Sequence, residues 1–246
     1  MSVLTDHGIV DAGDPLLHES GAPVDPDAFF EGSARLLRRV GDHVRDVVIP
    51  SLCGRNGRWH PTGFMVYPLG AHPVFGTLRL HIWPAGTRRR VIQGRGDLGP
   101  IHDGDIHDHA WNITSLVLTE YHDNIYSVGP ATGVASDEEL FRRFSVAYRP
   151  GSYQSLVTDG SQVLARAVEH RVVGGGEIHT IRAGVFHAPV VPLDVTGATL
   201  VLSSPRVQAT GPDVLIGGVG DAVMGARTPV TVRDAQAARD QLMSAA

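Results

Sequence analysis

Residues 106–111 read IHDHAW, and residues 176–187 read GEIHTIRAGVFH. The first segment carries two histidines, His107 and His109, separated by one residue. Side chains two residues apart on a β-strand project to the same side, so these two imidazoles can converge on one ion. Because a polar strand face without a metal also carries histidines, the pair alone is a weak signal. The second segment ends in His187 and strengthens the case for a shared metal site.

The sequence around these segments predicts a β-rich fold. Between about Phe64 and Leu215 we count roughly eight to ten short candidate strands bounded by turn residues. In one of them, aliphatic side chains alternate with a second set that shares the opposite face: Arg79, His81 and Trp83. The absence of helices between the strands favours an antiparallel sandwich or barrel. The clearest candidates are Thr77 to Trp83, Ile113 to Thr119, Ile125 to Val128, Gln162 to Val173, Ile178 to Ile181 and Ala198 to Ser203.

Helices are predicted towards the two ends of the chain. Asp25 can cap a helix that has Pro26 at its first position and runs to about Val47. Near the other end, Thr231 and Asp234 form a capping-box-like start. We expect this second helix to lie at the surface or at an interface.

The stretch 129–151 interrupts the strand pattern. Its acidic residues at 137–139, followed by Phe141, predict a short helix within an insertion or lid. The whole pattern divides the chain into an N-terminal helical extension (1–59), a barrel (60–215) and a C-terminal tail with a helix (216–246).

Composition excludes several classes of function. The chain has 246 residues, of which 42% are hydrophobic, so it can bury a sizeable core. Its one cysteine, Cys53, excludes an internal disulfide framework, and the lack of lysine excludes Schiff-base and P-loop lysine chemistry. The net charge of -5 and the scattered arginines argue against nucleic acid as a partner. Without a signal peptide or a long apolar run, we expect a cytoplasmic protein that does not enter the membrane.

The two histidine segments resemble the two signature motifs of the cupin superfamily. Gly176, Gly184 and His187 match the second motif, G-x5-P-x-G-x2-H-x3-N, while His107 and His109 match the first, G-x5-H-x-H-x4-E-x6-G. The glycines of the second motif allow the tight turn that brings the following histidine to the barrel mouth. The resemblance implies an all-β cupin barrel, a double-stranded β-helix or jelly roll, with flanking N- and C-terminal helices.

The chain departs from these motifs at five positions. Thr114 replaces the glutamate of the first motif, whose opening and closing glycines are Ile101 and Tyr121 here. Arg182 replaces the proline and Val191 the asparagine of the second motif.

The ligand set implied by the resemblance is therefore His107, His109 and His187, without a carboxylate. Three neutral imidazoles leave the charge of a divalent ion uncompensated and leave positions open to an anionic, chelating substrate. Because imidazole suits iron, zinc, copper and nickel, the ligand type does not select the metal.

The string IHDHAW is similar to the thiol dioxygenase branch of the cupins, typified by cysteine dioxygenase, as is the strand 200–205 that ends in Ser-Pro. This resemblance implies Fe(II) with O2 as co-substrate, and zinc, manganese and nickel stay as alternatives. A histidine and a tyrosine of that branch are replaced here by Val201 and Ser203, so what carries over is the set of metal ligands and not the substrate pocket.

Further residues are candidates for the substrate pocket. Arg79 could hold a substrate carboxylate through a bidentate pair, and His81 could act as an acid or base. Trp111 could form a wall of the pocket, and Thr114 occupies the glutamate position. Tyr153 and Arg166 are weaker candidates of the same kind.

Three aspartates near the first motif could accept the second N–H of a ligand histidine: Asp103, Asp105 and Asp108. For all these candidates a purely structural role is the alternative. The remaining histidines, among them His60 and His179, are isolated and are interpreted as surface or core residues.

The leading hypothesis is a mononuclear non-haem iron(II) dioxygenase that acts on a small amino-acid-like or thiol-bearing molecule. The alternative is a metal-dependent cupin isomerase, lyase or hydrolase that does not use oxygen. A cupin that only binds a ligand is a third hypothesis. Cupins commonly pair through their sheets, so a homodimer is possible, although the sequence does not fix the oligomeric state.

Overall fold

The computed structural model describes residues 2–5, 8–11, 25–87, 89–90, 93–95, 106–131, 139–149, 153–217, 221–223 and 225–245. Two α-helices lie at the ends, α1 (Pro26–His43) and α2 (Val232–Ser244), and α1 continues into a π-helical turn at Val44–Val48 and a 3-10 turn at Leu52–Gly54. The strands are β1 (Ser2–Thr5), β2 (Gly8–Asp11), β3 (Arg58–Trp59), β4 (Thr62–Gly63), β5 (Met65–His72), β6 (Gly76–Trp83), β7 (Arg89–Arg90), β8 (Gln93–Arg95), β9 (Ile106–His107), β10 (Ile113–Val117), β11 (Glu120–Pro130), β12 (Glu139–Arg149), β13 (Tyr153–Val157), β14 (Gln162–Gly174), β15 (Ile178–Ile181), β16 (Phe186–Pro189), β17 (Gly197–Ser203), β18 (Asp213–Gly217), β19 (Asp221–Val223) and β20 (Gly225–Ala226).

Two antiparallel sheets form the body of the protein. The first, sheet I, has the strand order β15-β10-β17-β6-β5-β3, and the second, sheet II, has the order β14-β11-β16-β9-β18-β12-β13-β20. Residues from both sheets line one cavity between them. This arrangement, with a helix at each end, confirms the predicted all-β barrel with flanking N- and C-terminal helices.

Helix α1 covers the outer face of sheet I. The Asp25 side chain accepts a hydrogen bond from the backbone N–H of Ala28, as the predicted cap requires, with Pro26 in the first turn. The buried face of the helix contacts β10 and β17 and shares one core cluster with aliphatic side chains of β6 that are completely inaccessible to solvent: Leu78, Leu80 and Ile82. The alternation predicted for this strand is therefore confirmed, since its other face lines the cavity.

Helix α2 packs against the same core rather than lying only at the surface. Thr231 and Asp234 form the predicted capping box. Ala238 and Leu242 are buried in the cluster that contains the apolar face of α1. Because both terminal segments share this core with sheet I, we expect neither to be removable without loss of stability. Within the described part of the chain, neither helix combines the length and apolar character needed to cross a bilayer.

The prediction of a short helix around residues 137–141 was wrong for the part that the structure describes. Residues 139–149 form β12, which is bonded to β13, β14 and β18. Residues 137 and 138 lie outside the described residues. Pairing with strands from distant parts of the chain outweighs the local preference of a short acidic segment, because each pairing satisfies a row of backbone groups.

Candidate metal centre

Three histidines meet on the inner face of sheet II. His107 in β9 and His187 in β16 are direct partners in the antiparallel ladder, and His109 follows β9 by two residues. One ring nitrogen from each histidine lies within 4.8 Å of the other two. The Nε2 atoms of His109 and His187 are 3.0 Å apart. The structure thus brings together the three histidines that the motifs singled out.

A glycine turn places His187. Gly176 and Gly184 have positive φ angles of 87° and 79°, which side chains with a Cβ rarely adopt. At Gly184 a Cβ would also lie 2.2 Å from Nε2 of Gln208. The backbone N–H of Gly184 donates to the carbonyl of His109 at 2.9 Å. This hydrogen bond fixes the turn of the second segment directly against the first.

Asp123 orients His187 from behind. Both carboxylate oxygens of Asp123 lie 3.0 Å from Nδ1 of His187, and one of them lies 2.8 Å from Nε2 of His179. Since a carboxylate accepts only, His187 carries its proton on Nδ1, and the Nε2 lone pair faces His109 and the cavity. Asp123 is completely buried in β11.

Burial and neighbouring charged groups shift the pKa values of His109 and Asp123. Burial lowers the pKa of His109 well below its ordinary value, and the neighbouring His107 and His187 lower it further. Burial alone would raise the pKa of Asp123, but the charge of His187 and the hydrogen bonds from His179 and His187 bring it below its ordinary range. A neutral imidazole is the form that binds a metal, and the lowered pKa of His109 favours that form.

The cavity in front of the histidines has a volume of about 130 Å³. Part of its lining is polar, with two arginines and two histidines: Arg79, Arg227, His60 and His81. Burial lowers the pKa of His81 to about 3, and Arg79 and Arg227 add to this shift. Other lining residues are apolar and belong to one packed cluster: Trp111, Ile113, Ile181 and Val201. The space therefore suits a small molecule with one anionic end and a short apolar part.

Of the predicted pocket residues, Arg79, His81 and Trp111 line this cavity. The ring of Trp111 lies 5.7 Å from that of His109 at an interplanar angle of 30°. Tyr153 begins β13, but its side chain lies outside the described part of the structure. Arg166 lines a separate depression on β14. The catalytic roles of all these residues stay predictions.

Among the three aspartates proposed to support a ligand, Asp103 and Asp105 lie outside the described residues. Asp108 lines the cavity, and its carboxylate accepts the backbone N–H of Asp213 at 2.6 Å. The carboxylate that supports His187 is Asp123 instead. Its inward position could have been read from the alternation of β11, in which Tyr121, Asp123 and Ile125 are the buried residues.

Sequence reasoning also missed His60, His179 and Arg227. The two histidines had been interpreted as isolated surface or core residues, yet both line the cavity. His60 follows β3, stacks on Phe64 with ring centroids 4.4 Å apart, and accepts the backbone N–H of Thr62. Nothing in their local sequence distinguishes these residues, because the fold brings together segments that lie far apart in the chain.

Thr114 is not a residue of the cavity. Its neighbours Ile113 and Ser115 on β10 line the cavity, whereas Thr114 points to the opposite face and is fully buried against α1. There its hydroxyl lies 2.6 Å from that of Ser33. The prediction that Thr114 lies at the site was therefore wrong. Side chains alternate along a strand, so those at positions 113 and 115 face the cavity and the one at 114 faces away from it.

The Thr114→Val variant tests this assignment. We expect it to lower the free energy of unfolding by about 1 kcal/mol, because the Ser33 hydroxyl loses a buried partner while the side-chain shape is kept. Metal content and metal affinity should not change. Denaturant unfolding of the metal-free protein and metal analysis of the purified protein measure the two quantities. A loss of bound metal without a loss of stability would show that Thr114 acts at the metal site.

The donor set fits a divalent transition metal. Two ligand atoms each about 2.1 Å from an ion and at right angles are about 3.0 Å apart, which is the separation of the two Nε2 atoms found here. Three imidazoles suit iron, zinc or nickel better than calcium or magnesium, which prefer oxygen ligands. The three histidines can therefore hold a metal ion and leave further coordination positions facing the cavity.

Comparisons with known proteins give little further information. Neither a scan against models of known families nor a comparison with curated protein sequences gives a match. One solved structure with some likeness comes from a study titled as crystal structures of DMSP lyases, with 14% sequence identity and a TM-score of 0.29. The aligned region covers 61% of this chain and 51% of that chain, so the chain spans about half the length of that structure. At such a low TM-score the likeness supports neither fold nor function, and the barrel is established by its own sheet topology.

Proposed function

We propose that this protein is a mononuclear non-haem iron(II) dioxygenase that oxidises a small, thiol-bearing, amino-acid-like molecule. The observation that carries the proposal is a cluster of three imidazoles at the wall of a small cavity, supported by a buried aspartate. Within the described residues, no carboxylate belongs to the cluster. Such a set leaves room for a bidentate anionic substrate.

His107, His109 and His187 would hold the iron, which when bound supplies the activation of O2 towards a neighbouring thiolate. The charge of a divalent ion is not neutralised by imidazoles. A substrate thiolate would therefore be attracted to it, and soft sulfur suits iron better than it suits magnesium or calcium. Asp123 would hold His187 in the tautomer that offers Nε2 to the ion.

The cavity walls would bind and orient the substrate. The Arg79 guanidinium has a planar donor set that suits a carboxylate, and Arg227, which like Arg79 lowers the pKa of His81, adds positive charge to the cavity lining. Trp111, Ile181 and Val201 would pack against the methylene groups and exclude water. His81, which stays neutral near pH 7, could accept or donate a hydrogen bond without adding charge.

The overall reaction is R-SH + O2 → R-SO2H, which balances without an added reductant. Both oxygen atoms enter the product, and sulfur supplies all four electrons in passing from thiol to sulfinic acid. The pocket then needs to hold only substrate and O2 together. Bringing the two into contact supplies a large part of the rate.

The proposal is tested by loading the protein anaerobically with Fe(II) and following oxygen consumption with an electrode. We expect the fastest consumption with thiols that also carry a carboxylate, such as cysteine or 3-mercaptopropionate, and one O2 used per sulfinate formed. Matched thiols without the carboxylate, such as cysteamine, should react more slowly because they forgo the contact with Arg79.

Two outcomes would count against the proposal. If the iron-loaded protein consumed no oxygen with any thiol of this panel, thiol oxidation would be wrong. If zinc- or nickel-loaded protein turned over these substrates under strict anaerobiosis, the non-oxidative alternative, a metal-dependent isomerase, lyase or hydrolase, would replace it.

A further inference from the structure

His179 borders the same cavity as the three clustered histidines, but it comes from the opposite sheet. It lies in β15 of sheet I and is buried, with 4% of its surface exposed. Its Nε2 atom lies 2.8 Å from the carboxylate of Asp123, which belongs to sheet II. Because a carboxylate only accepts hydrogen bonds, Nε2 of His179 carries the proton and Nδ1 keeps its lone pair.

The Nδ1 atom of His179 is available to a molecule in the cavity. Among the residues that the structure describes, none forms a hydrogen bond with this atom. The atom is also not fully enclosed by protein. The ring lines the cavity and packs against Tyr121, with ring centroids 5.3 Å apart. His179 therefore presents a basic nitrogen to the space in which a substrate would lie.

The buried carboxylate behind His179 suits the ring to accept a proton. If Nδ1 takes a proton, the ring becomes an imidazolium whose other N–H already points at the negative charge of Asp123. Asp123 is completely buried, so solvent weakens this attraction little. The carboxylate thus stabilises the product of the proton transfer, and the ring does not have to move.

Other ionisable groups of the cavity lining are less suited to this role. Burial lowers the pKa of His81 to about 3 and that of His60 well below its ordinary value. Two arginines, Arg79 and Arg227, add to both shifts because they oppose a further positive charge. Burial raises the pKa of Tyr121 well above its ordinary value, so its phenol keeps its proton. None of these groups readily accepts a proton near neutral pH.

We propose that His179 is a catalytic residue that accepts the thiol proton of the substrate. This inference rests on the proposed function, since a thiol binds a metal ion as the thiolate. The S–H bond breaks with its electron pair left on sulfur, and a new N–H bond forms at Nδ1 of His179. A sulfinic acid is ionised at neutral pH, so the proton finally passes from His179 to solvent. The balance is R-SH + O2 → R-SO2⁻ + H⁺.

Proton release on thiol binding tests the proposal without turnover. Zinc-loaded protein is mixed with 3-mercaptopropionate at pH 7 in weakly buffered solution, and an indicator dye reports the released protons. We expect the wild type to release close to no proton per thiol bound, because His179 retains it. His179→Gln should release about one, since glutamine can donate to Asp123 but has no basic nitrogen. The difference between the two proteins is the readout, because protons exchanged by other groups are common to both.

Two controls locate the proton acceptor. The thioether 3-(methylthio)propionate has no thiol proton, so the wild type and His179→Gln should not differ with it. Asp108→Asn neutralises a carboxylate of the cavity lining and should give the wild-type proton count with the thiol. Circular dichroism and metal content show that each variant keeps its fold and its site.

Turnover gives a second measurement. In the iron-loaded protein, His179→Gln should lower kcat/KM for 3-mercaptopropionate by about 100-fold while its metal content stays close to that of the wild type.

Several results would overturn the proposal even where thiol oxidation is found. These are equal proton release by the wild type and His179→Gln, wild-type turnover by this variant, and a proton released only by Asp108→Asn. Release of a full proton per thiol by the wild type would overturn it without any variant. Metal-loaded protein that neither binds nor oxidises thiols would refute the proposed function, and this inference with it.

Discussion

His187→Ala is expected to abolish stoichiometric metal binding and, with it, any metal-dependent turnover. The variant leaves only two of the three imidazole ligands, His107 and His109, and two ligands bind an ion more weakly than three. We expect the affinity for the metal to fall by more than about 100-fold, beyond the upper end of what loss of a supporting partner costs. Metal content after purification without added metal, and titration of the metal-free protein with Fe(II) or Zn(II), measure this loss.

A matched control is His122→Ala. His122 lies on β11 beside Asp123, bonds to the exposed Glu120, and is not part of the cavity wall. This control should keep its metal and its activity. Because His187→Ala also removes a partner of the buried Asp123, a loss of stability is expected and should be measured separately in the metal-free protein. Wild-type metal content in the His187→Ala variant would show that the three histidines do not form the site.

The metal ligands could be predicted because the relevant signals are local. A period of two places His107 and His109 on one side, and the glycine at position 184 marks the turn before His187. The same alternation identified the two faces of β6. Capping residues such as Asp25 and Thr231 likewise determine helix starts by contacts within one turn. In each case the residues that carry the information are neighbours in the sequence.

The rest of the site could not be predicted because it depends on strand register. Asp123 reaches His187 only because Ile125 pairs with His187 in the ladder between β11 and β16. His179 reaches Asp123 from sheet I, on the other side of the cavity. The motif position wrongly predicted that Thr114 lies at the site. The alternation of side chains along β10 directs Thr114 to the face opposite the cavity. Similarly, residues 139–149 form a strand because of partners that lie far away in the sequence.

Asp123→Asn is expected to weaken metal binding by about 10- to 100-fold while leaving the three ligand side chains in place. An amide of nearly the same shape offers only one oxygen to the two imidazoles and no negative charge. His187 then loses the interaction that fixes its tautomer, and a fraction of the protein presents a protonated Nε2 to the cavity. At saturating metal this corresponds to about 1.4 to 2.8 kcal/mol less stabilisation by the metal. Chelator competition gives the affinity, and thermal unfolding with and without metal gives the stabilisation.

Comparison with His179→Gln separates the positioning of His187 from a general effect on the buried network. That variant removes the other partner of Asp123 but leaves the hydrogen bond to His187 Nδ1 intact. If Asp123 acts by orienting the ligand, His179→Gln should bind metal close to the wild-type level, even where both variants lower the stability of the metal-free protein. Equal losses of metal affinity in the two variants, or wild-type affinity in Asp123→Asn, would mean that Asp123 has only a structural role in the interior of the barrel. The distinction matters chemically, because the lone pair of His187 is available to a cation only while its other nitrogen holds the proton.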